Sequence, residues 1–317
     1  MHTDAGFVAN NLKKICLASP RGFCGGVKRA VTIVDLVLKK HKAPIYVRHE
    51  IVHNKHVVND FKNKGVIFIE DIDHVPDNSV IILSAHGSPP LIYEKAKQKN
   101  LIVYDATCPL VFKVHLEAKR YAKEGYFVIY IGHKNHPEGV GVLGELTRNY
   151  ELIENLEQAK LLKLPQTQKV VVLTQTTLSF DDTKEIINHL QKQYPNLIKP
   201  PIFDICYATQ NRQLAVKALV KKVDLILVVG SKNSSNSNRL KDVAIAAGKK
   251  AYLINDESEI NKEWFNNIAN IGVIAGASAP ETAIQSVVKY LSQGRSIVEE
   301  LEFIKENIQF PLPSNLA

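Results

Sequence analysis

The strongest constraint on this chain is an alternation. Apolar runs of strand length at residues 15–18, 45–47, 66–69, 80–83, 101–104, 127–131, 170–173, 225–229, 251–254 and 272–275 are separated by longer stretches with apolar residues at helical spacing. A parallel strand pair needs a crossover long enough for a helix, so this alternation calls for parallel sheets covered by helices on both faces. So many runs exceed one small sheet, and 317 residues suffice for two or three domains. The chain therefore reads as three similar α/β domains, at 25–108, 109–202 and 203–317, joined by an N-terminal segment 1–24. Residues 1–14 read as a polar extension, Pro195-Asn196 and Pro200-Pro201 as a linker, and Pro311-Leu312-Pro313-Ser314 as an irregular tail.

Three cysteines mark the seams of this pattern. Cys24, Cys108 and Cys206 each sit where an apolar run gives way to a helix-like one: after Ile15-Cys16-Leu17-Ala18, after Leu101-Ile102-Val103-Tyr104, and after Ile202-Phe203-Asp204-Ile205. A thiol at a helix start meets unpaired N–H groups and the positive end of the helix dipole, which favour the thiolate. Three such sites suggest three helix starts aimed at one anionic or metallic object. The plainer alternative is three small buried apolar side chains, the usual place of an intracellular cysteine.

Composition narrows the partners. Cysteines spread without pairing and an N-terminus without an apolar signal core point to a reducing cytoplasm, and no apolar run reaches the length of a membrane span. The net charge of +8 admits an anionic substrate or an acidic protein partner, while scattered lysines without a basic arm argue against nucleic acid.

In open parallel sheets ligands bind beyond the carboxyl ends of the strands, so the residues following each run carry the functional signal. They are Ser84-Ala85-His86-Gly87-Ser88, Gly132-His133-Lys134-Asn135-His136-Pro137-Glu138, Thr174-Gln175-Thr176-Thr177, the long Gly230–Arg239 stretch with its Ser/Asn run 233–238, and Gly276-Ala277-Ser278. Small hydroxyl, amide and imidazole groups at helix starts suit phosphate oxygens. The Ser/Asn run reads as a loop capping a helix that begins at Arg239 and ends at Gly248, with more donors than one cap requires. Glu138, two residues after His136 and behind Pro137, reads as a carboxyl held near an imidazole on a stiff loop, suited to proton delivery; the alternative is a glutamate favoured by a helix dipole. His53 reads as part of a loop entering a helix.

Taken in order, Pro20-Arg21-Gly22-Phe23-Cys24-Gly25-Gly26-Val27, Asp105-Ala106-Thr107-Cys108-Pro109-Leu110-Val111, His136-Pro137-Glu138, Thr174-Gln175-Thr176-Thr177-Leu178-Ser179 and Ser234-Ser235-Asn236-Ser237-Asn238-Arg239-Leu240 resemble the 4-hydroxy-3-methylbut-2-enyl diphosphate reductase family, which acts last in the non-mevalonate isoprenoid pathway. The resemblance runs from about Lys14 to about Gly294. The chain departs from the pattern at Phe112, where a small polar residue is expected, and at Gly139-Val140-Gly141, which bears on the flexibility of the Glu138 loop.

What the resemblance implies is a trefoil of α/β domains around one oxygen-sensitive 4Fe-4S cluster held by Cys24, Cys108 and Cys206, with one iron lacking a protein thiolate. Cys16, inside a strand, is then structural. The implied substrate is an allylic diphosphate gripped by His53, His86, His136, Ser234, Ser235, Asn236 and Ser278. Glu138 is the implied proton source, Thr176 relays or orients the hydroxyl, and Thr177 lines the cavity. Reduced ferredoxin or flavodoxin is the implied electron donor, steered by the basic surface. Two rivals remain: a structural zinc site closed by His53, His86 or His136, and a non-redox enzyme on phosphorylated sugars using only the Ser/Asn cradle.

Overall fold

The computed structural model describes residues 12–199, 204–292 and 296–316. Segment 1–11 of the expected extension and Pro200-Pro201 of the expected linker lie outside the described residues. In chain order the elements are β1 Lys14–Ser19, α1 Gly25–His41, β2 Ile45–Arg48, α2 Lys55–Asn63, β3 Val66–Ile69, β4 Val80–Leu83, α3 Pro90–Gln98, β5 Ile102–Asp105, α4 Pro109–Lys123, β6 Phe127–Ile131, α5 Pro137–Leu143, β7 Tyr150–Ile153, α6 Leu156–Leu161 and β8 Val170–Thr174. They continue with α7 Phe180–Gln193, α8 Tyr207–Leu219, β9 Leu225–Val229, α9 Ser235–Ala246, β10 Lys250–Ile254, β11 Asn270–Ala275, α10 Glu281–Ser292 and β12 Ile297–Glu302.

The strands form three sheets, ordered β10-β9-β11-β1-β12, β3-β2-β4-β5 and β7-β6-β8, and every strand pairing is parallel. The architecture is thus α/β with three parallel sheets, as the alternation requires. Two compact units result. One contains the described part of Met1–Cys24 with His53–Val57 and Tyr207–Ile308; the other contains Gly25–Val52, Val58–Cys206 and the described part of Gln309–Ala317.

Central strands read as continuous apolar runs because both of their faces are covered. In the five-stranded sheet, Ile15, Leu17, Leu227 and Val273 point to one core with Ile284, Val287 and Leu291 of α10, while Cys16, Ile226, Val228 and Ile274 point to the other with Val216 and Leu219 of α8 and Leu240 of α9. Cys16 is a core residue, and burial pushes its thiol pKa up. The three-stranded sheet repeats the arrangement: Ile129, Ile131 and Val172 face Ile186, Ile187 and Leu190 of α7, and Val128, Tyr130 and Leu173 face Val114 and Ala118 of α4.

Two strands escape the sequence pattern, β7 and β12. Both are edge strands, β12 exposed along most of its length and β7 at Tyr150 and Glu151, and polar residues interrupt both, so neither reads as an apolar run. The strand expected over 202–205 needs correction. Ile202 and Phe203 lie outside the described residues, and Asp204 and Ile205 belong to no strand; Ile205 joins the α7-side core and the Asp204 carboxylate accepts from the Thr174 N–H at 3.0 Å.

Truncation should separate the buried strands from the edges. Ile129→Ala, at a fully buried position of β6, is expected to cost about 2–5 kcal/mol in urea unfolding. Ile297→Ala, on the exposed edge strand β12, should change stability by less than about 0.5 kcal/mol.

Candidate active site

The outer edge of β8 organises one group of site residues. Strand residues alternate between two edges as well as two faces, and on this strand the even-numbered backbone groups face away from β6. Each is satisfied by a different partner in turn. Val172 N–H donates to Ile198 O at 2.9 Å, Thr174 N–H to the Asp204 carboxylate at 3.0 Å, and Thr176 N–H to Glu138 Oε1 at 2.6 Å. Cys206 N–H closes the series by donating to Thr176 O at 3.0 Å. A sheet edge left open by the strand order is thereby capped by two carboxylates and by the backbone of a cysteine.

Glu138 is buried at 2% exposure, and Thr176 Oγ also donates to its Oε2 at 2.9 Å. It stands in the first turn of α5, whose N-cap is His136, with the Glu138 N–H donating to His136 Nδ1 at 3.2 Å. The stiff loop of the sequence reading is therefore a short helix; Pro137 at its first position supplies a preset φ and needs no N–H partner. Burial pushes the Glu138 pKa up to about 7, against the two Thr176 hydrogen bonds, which favour the carboxylate, and with a smaller push from Asp204. A carboxyl poised near neutrality can hold a proton and surrender it. The Thr176 hydroxyl can donate to the carboxylate or accept from the carboxylic acid, so it adapts to either state.

Asp204 is sealed from solvent at its side chain and paired with Lys113 Nζ at 3.2 Å. Burial and the nearby Glu117 raise its pKa, while Lys113 and the Thr174 N–H oppose the rise. Cys108 is the N-cap of α4 and its N–H donates to Ala85 O at 3.0 Å, next to His86. His86 Nδ1 lies 3.2 Å from Ser84 Oγ, and the His86 and His136 rings meet edge-on with centroids 6.0 Å apart. Gln175 ties the next loop together: its Oε1 accepts from His133 N–H at 2.9 Å and its Nε2 donates to Thr177 Oγ at 2.9 Å. Cys108, Cys206, His86, His136, Glu138, Thr176 and Thr177 thus stand in one unit.

The other unit holds Cys24, His53, Ser234, Ser235, Asn236 and Ser278. Cys24 N–H donates to Ala277 O at 3.3 Å, and Ser278 Oγ donates to His53 O at 3.0 Å. Asn236 links these loops to α8, its Oδ1 accepting from Ala277 N–H at 2.9 Å and its Nδ2 donating to Thr209 Oγ at 3.2 Å. The Ser/Asn run needs correction: α9 begins at Ser235, so most of the run is helix rather than loop. Ser234 caps it by accepting from Ser237 N–H, Ser237 Oγ donates to Ser234 Oγ, and Asn238 donates to Lys232 O. Several donors that looked surplus are spent on this first turn. Ahead of Cys24, the fully buried Arg212 donates to Gly22 O at 2.7 Å and pairs with Glu306 at 3.0 Å.

All three cysteines directly precede a helix and are partly exposed, whereas Cys16 is sealed. Among the described residues, no group of three or more His, Cys, Asp and Glu side chains is set to ligate a single metal ion.

A family model described as LytB protein matches residues 15–292. The chain belongs to the LytB protein family. It is 50% identical over 307 residues to the 4-hydroxy-3-methylbut-2-enyl diphosphate reductase of Tolumonas auensis, covering 96% of this chain and 99% of the relative. With the reductase 2 of that name from Burkholderia mallei it shares 48% over 315 residues, covering 99% and 97%. The solved E-1-hydroxy-2-methyl-but-2-enyl-4-diphosphate reductase of Plasmodium falciparum superposes with a TM-score of 0.94 at 40% identity, covering 96% of this chain and 97% of that one.

Asp204, Arg212, Thr209 and Gln175 were not singled out from sequence. Gln175 lies inside a motif that drew attention to its threonines, and Asp204 sits two residues before Cys206; both were signals of position rather than pattern. Arg212 and Thr209 carry no such signal. For Asn236→Ala the expected loss is about 1–3 kcal/mol in urea unfolding, because the Ala277 N–H loses its acceptor. A loss below about 0.3 kcal/mol would show that Asn236 does not hold the Ser278 loop.

Proposed function

We propose that this chain is an iron–sulfur oxidoreductase of the non-mevalonate isoprenoid route. It converts (E)-4-hydroxy-3-methylbut-2-enyl diphosphate to isopentenyl and dimethylallyl diphosphate: the C–O bond breaks, the oxygen leaves as water, and two electrons and two protons are consumed. The observation that carries this reading is the buried Glu138–Thr176 pair, a neutral-range acid bonded to the residue whose carbonyl receives the Cys206 N–H. Family membership supports it over a sugar-phosphate enzyme with only a Ser/Asn cradle.

Cys24, Cys108 and Cys206 are the residues that would hold one 4Fe-4S cluster. Their fit rests on chemistry: three partly exposed cysteines, each directly before a helix, supply sulfur donors, while the fourth cysteine is locked in the core. When bound, such a cluster with one iron free of protein thiolate supplies electrons singly and a Lewis-acidic vertex for the substrate hydroxyl. The remaining work falls to the chain. His53, His86, His136, Ser234, Ser235, Asn236 and Ser278 grip the diphosphate, and Thr177 lines the cavity. Glu138 holds the proton and Thr176 orients the hydroxyl and relays it. Free thiolates and an oxygen-sensitive centre call for a reducing compartment, so the reading places the enzyme in the cytoplasm. Reduced ferredoxin or flavodoxin is the proposed electron donor, attracted by the net charge of +8. The three-domain division at 108/109 and 202/203 belongs to the same proposal.

An anaerobic absorption spectrum with iron and sulfide analysis tests the centre: brown protein with about four of each per chain is expected. Cys108→Ser should lose the colour and the activity, and Cys16→Ala should keep both; colourless wild-type protein after anaerobic reconstitution overturns the reading.

The acid role of Glu138 sets the pH dependence. Because its raised pKa keeps the proton on below about 7, kcat should be flat there and fall about tenfold per unit above it. Glu138→Gln is expected to keep a normal spectrum while kcat drops by about 10²–10⁴ and the titration near 7 disappears. Turnover within a fewfold of wild type would remove Glu138 from this role.

A further inference from the structure

A buried imidazole outside the proposed catalytic set meets the backbones of both loops that matter for the chemistry. His115, on α4, is 5% exposed; its Nδ1 lies 3.0 Å from Glu145 Oε1, and its Nε2 is buried without a hydrogen-bond partner. The ring is wedged against two glycines. A β-carbon on Gly87 would stand 2.6 Å from Nε2, and one on Gly141 would stand 3.0 Å from Cε1, 3.1 Å from Nε2 and 3.4 Å from the carbonyl carbon of Gly87. Real β-carbons do not approach as closely as the one on Gly87 would, so a side chain there must displace the ring or the backbone; at Gly141 the contacts are tight, and the ring or the helix must give by a few tenths of an ångström.

The two glycines are not incidental. Gly87, at φ +83°, follows His86 in the turn beyond β4, and Gly141 lies one helical turn after Glu138 in α5. Cys108, Val111 and His115 recur on one face of α4. Along that face the Cys108 N–H donates to Ala85 O, and Val111 Cγ1 and the His115 ring both crowd Gly87. Both glycines of α5 have a spatial reason: Gly141 makes room for His115, and Gly139 for the buried Tyr130 ring, whose Cε1 would lie 3.2 Å from its β-carbon.

We infer that His115, held by Glu145, is a positioning residue that fixes the spacing between the His86 turn and the helix bearing Glu138, through its contacts with Gly87 and Gly141. The inference rests on the reading of Glu138 as proton donor and His86 as diphosphate ligand. A displaced acid slows proton transfer more than it weakens substrate binding.

The test is a double-mutant cycle on the reconstituted holoenzyme. Gly141→Ala is expected to lower kcat at least tenfold with KM changed less than threefold. Placed in a His115→Ala background, where the added methyl group has space, the same substitution should lower kcat less than threefold further. Equal fold losses in the two backgrounds overturn the inference. Should His115→Ala not fold, His115→Asn, which keeps a donor toward Glu145 and empties the Nε2 side, takes its place in the cycle. A Glu138→Gln enzyme with normal turnover would sink the proton role separately; the contact is then decided by the melting temperatures of the same four proteins, non-additive shifts upholding it and additive shifts overturning it.

Discussion

The open edge of β8 is the constraint on which the proposed chemistry of this protein depends. A parallel strand at the margin of a sheet presents a row of N–H and C=O groups that must find partners, and a neighbouring strand normally provides them. Here Ile198 serves the first part of the edge, and then side-chain carboxylates take over: Asp204 at Thr174 and Glu138 at Thr176, with the Cys206 N–H on the Thr176 carbonyl. Satisfying the edge draws a helix start and a cysteine segment to the same three residues. The hydrogen bonds that complete the sheet are also the ones that bring the proposed acid, Glu138, and the Cys206 segment together at Thr176.

Burial gives this arrangement its chemical value. A carboxylate accepting two hydrogen bonds would ordinarily titrate low, yet Glu138 is pushed up to about 7 because desolvation outweighs them. Asp204 adds a second buried acid on the same edge, balanced by Lys113, and so contributes negative potential without standing unpaired. The elements on the other side of α5 serve geometry instead. His115 spends one nitrogen on Glu145 and none on the other, and its ring occupies the space that two glycines leave open.

Much of this was legible before any coordinates. Helix starts after Cys24, Cys108 and Cys206 followed from apolar periodicity, and the polar residues after β4, β6, β8, β9 and β11 stood out because central strands buried on both faces leave polar chemistry only at their ends. The misses have physical causes. β7 and β12 are edges whose exposed polar residues interrupt the apolar run. α9 starts earlier than its residue types suggest, because serine and asparagine read as loop residues although their side chains cap and brace the first turn of a helix. His115 offered no pattern at all, since a histidine one heptad from a cysteine looks like any other residue on a helix face.

The sequence by itself determined the class of fold, the residue types available for the chemistry and the family, because periodicity and short motifs are local properties of the chain. Tertiary structure alone decided which of those residues touch. Glu138 and Thr176 are far apart along the chain, as are His115 and Gly87, and their contacts exist because strand order leaves one edge open and helix packing presses one ring into a gap. Protonation follows from the same source: a glutamate acquires a neutral-range pKa only when surrounding elements remove its water.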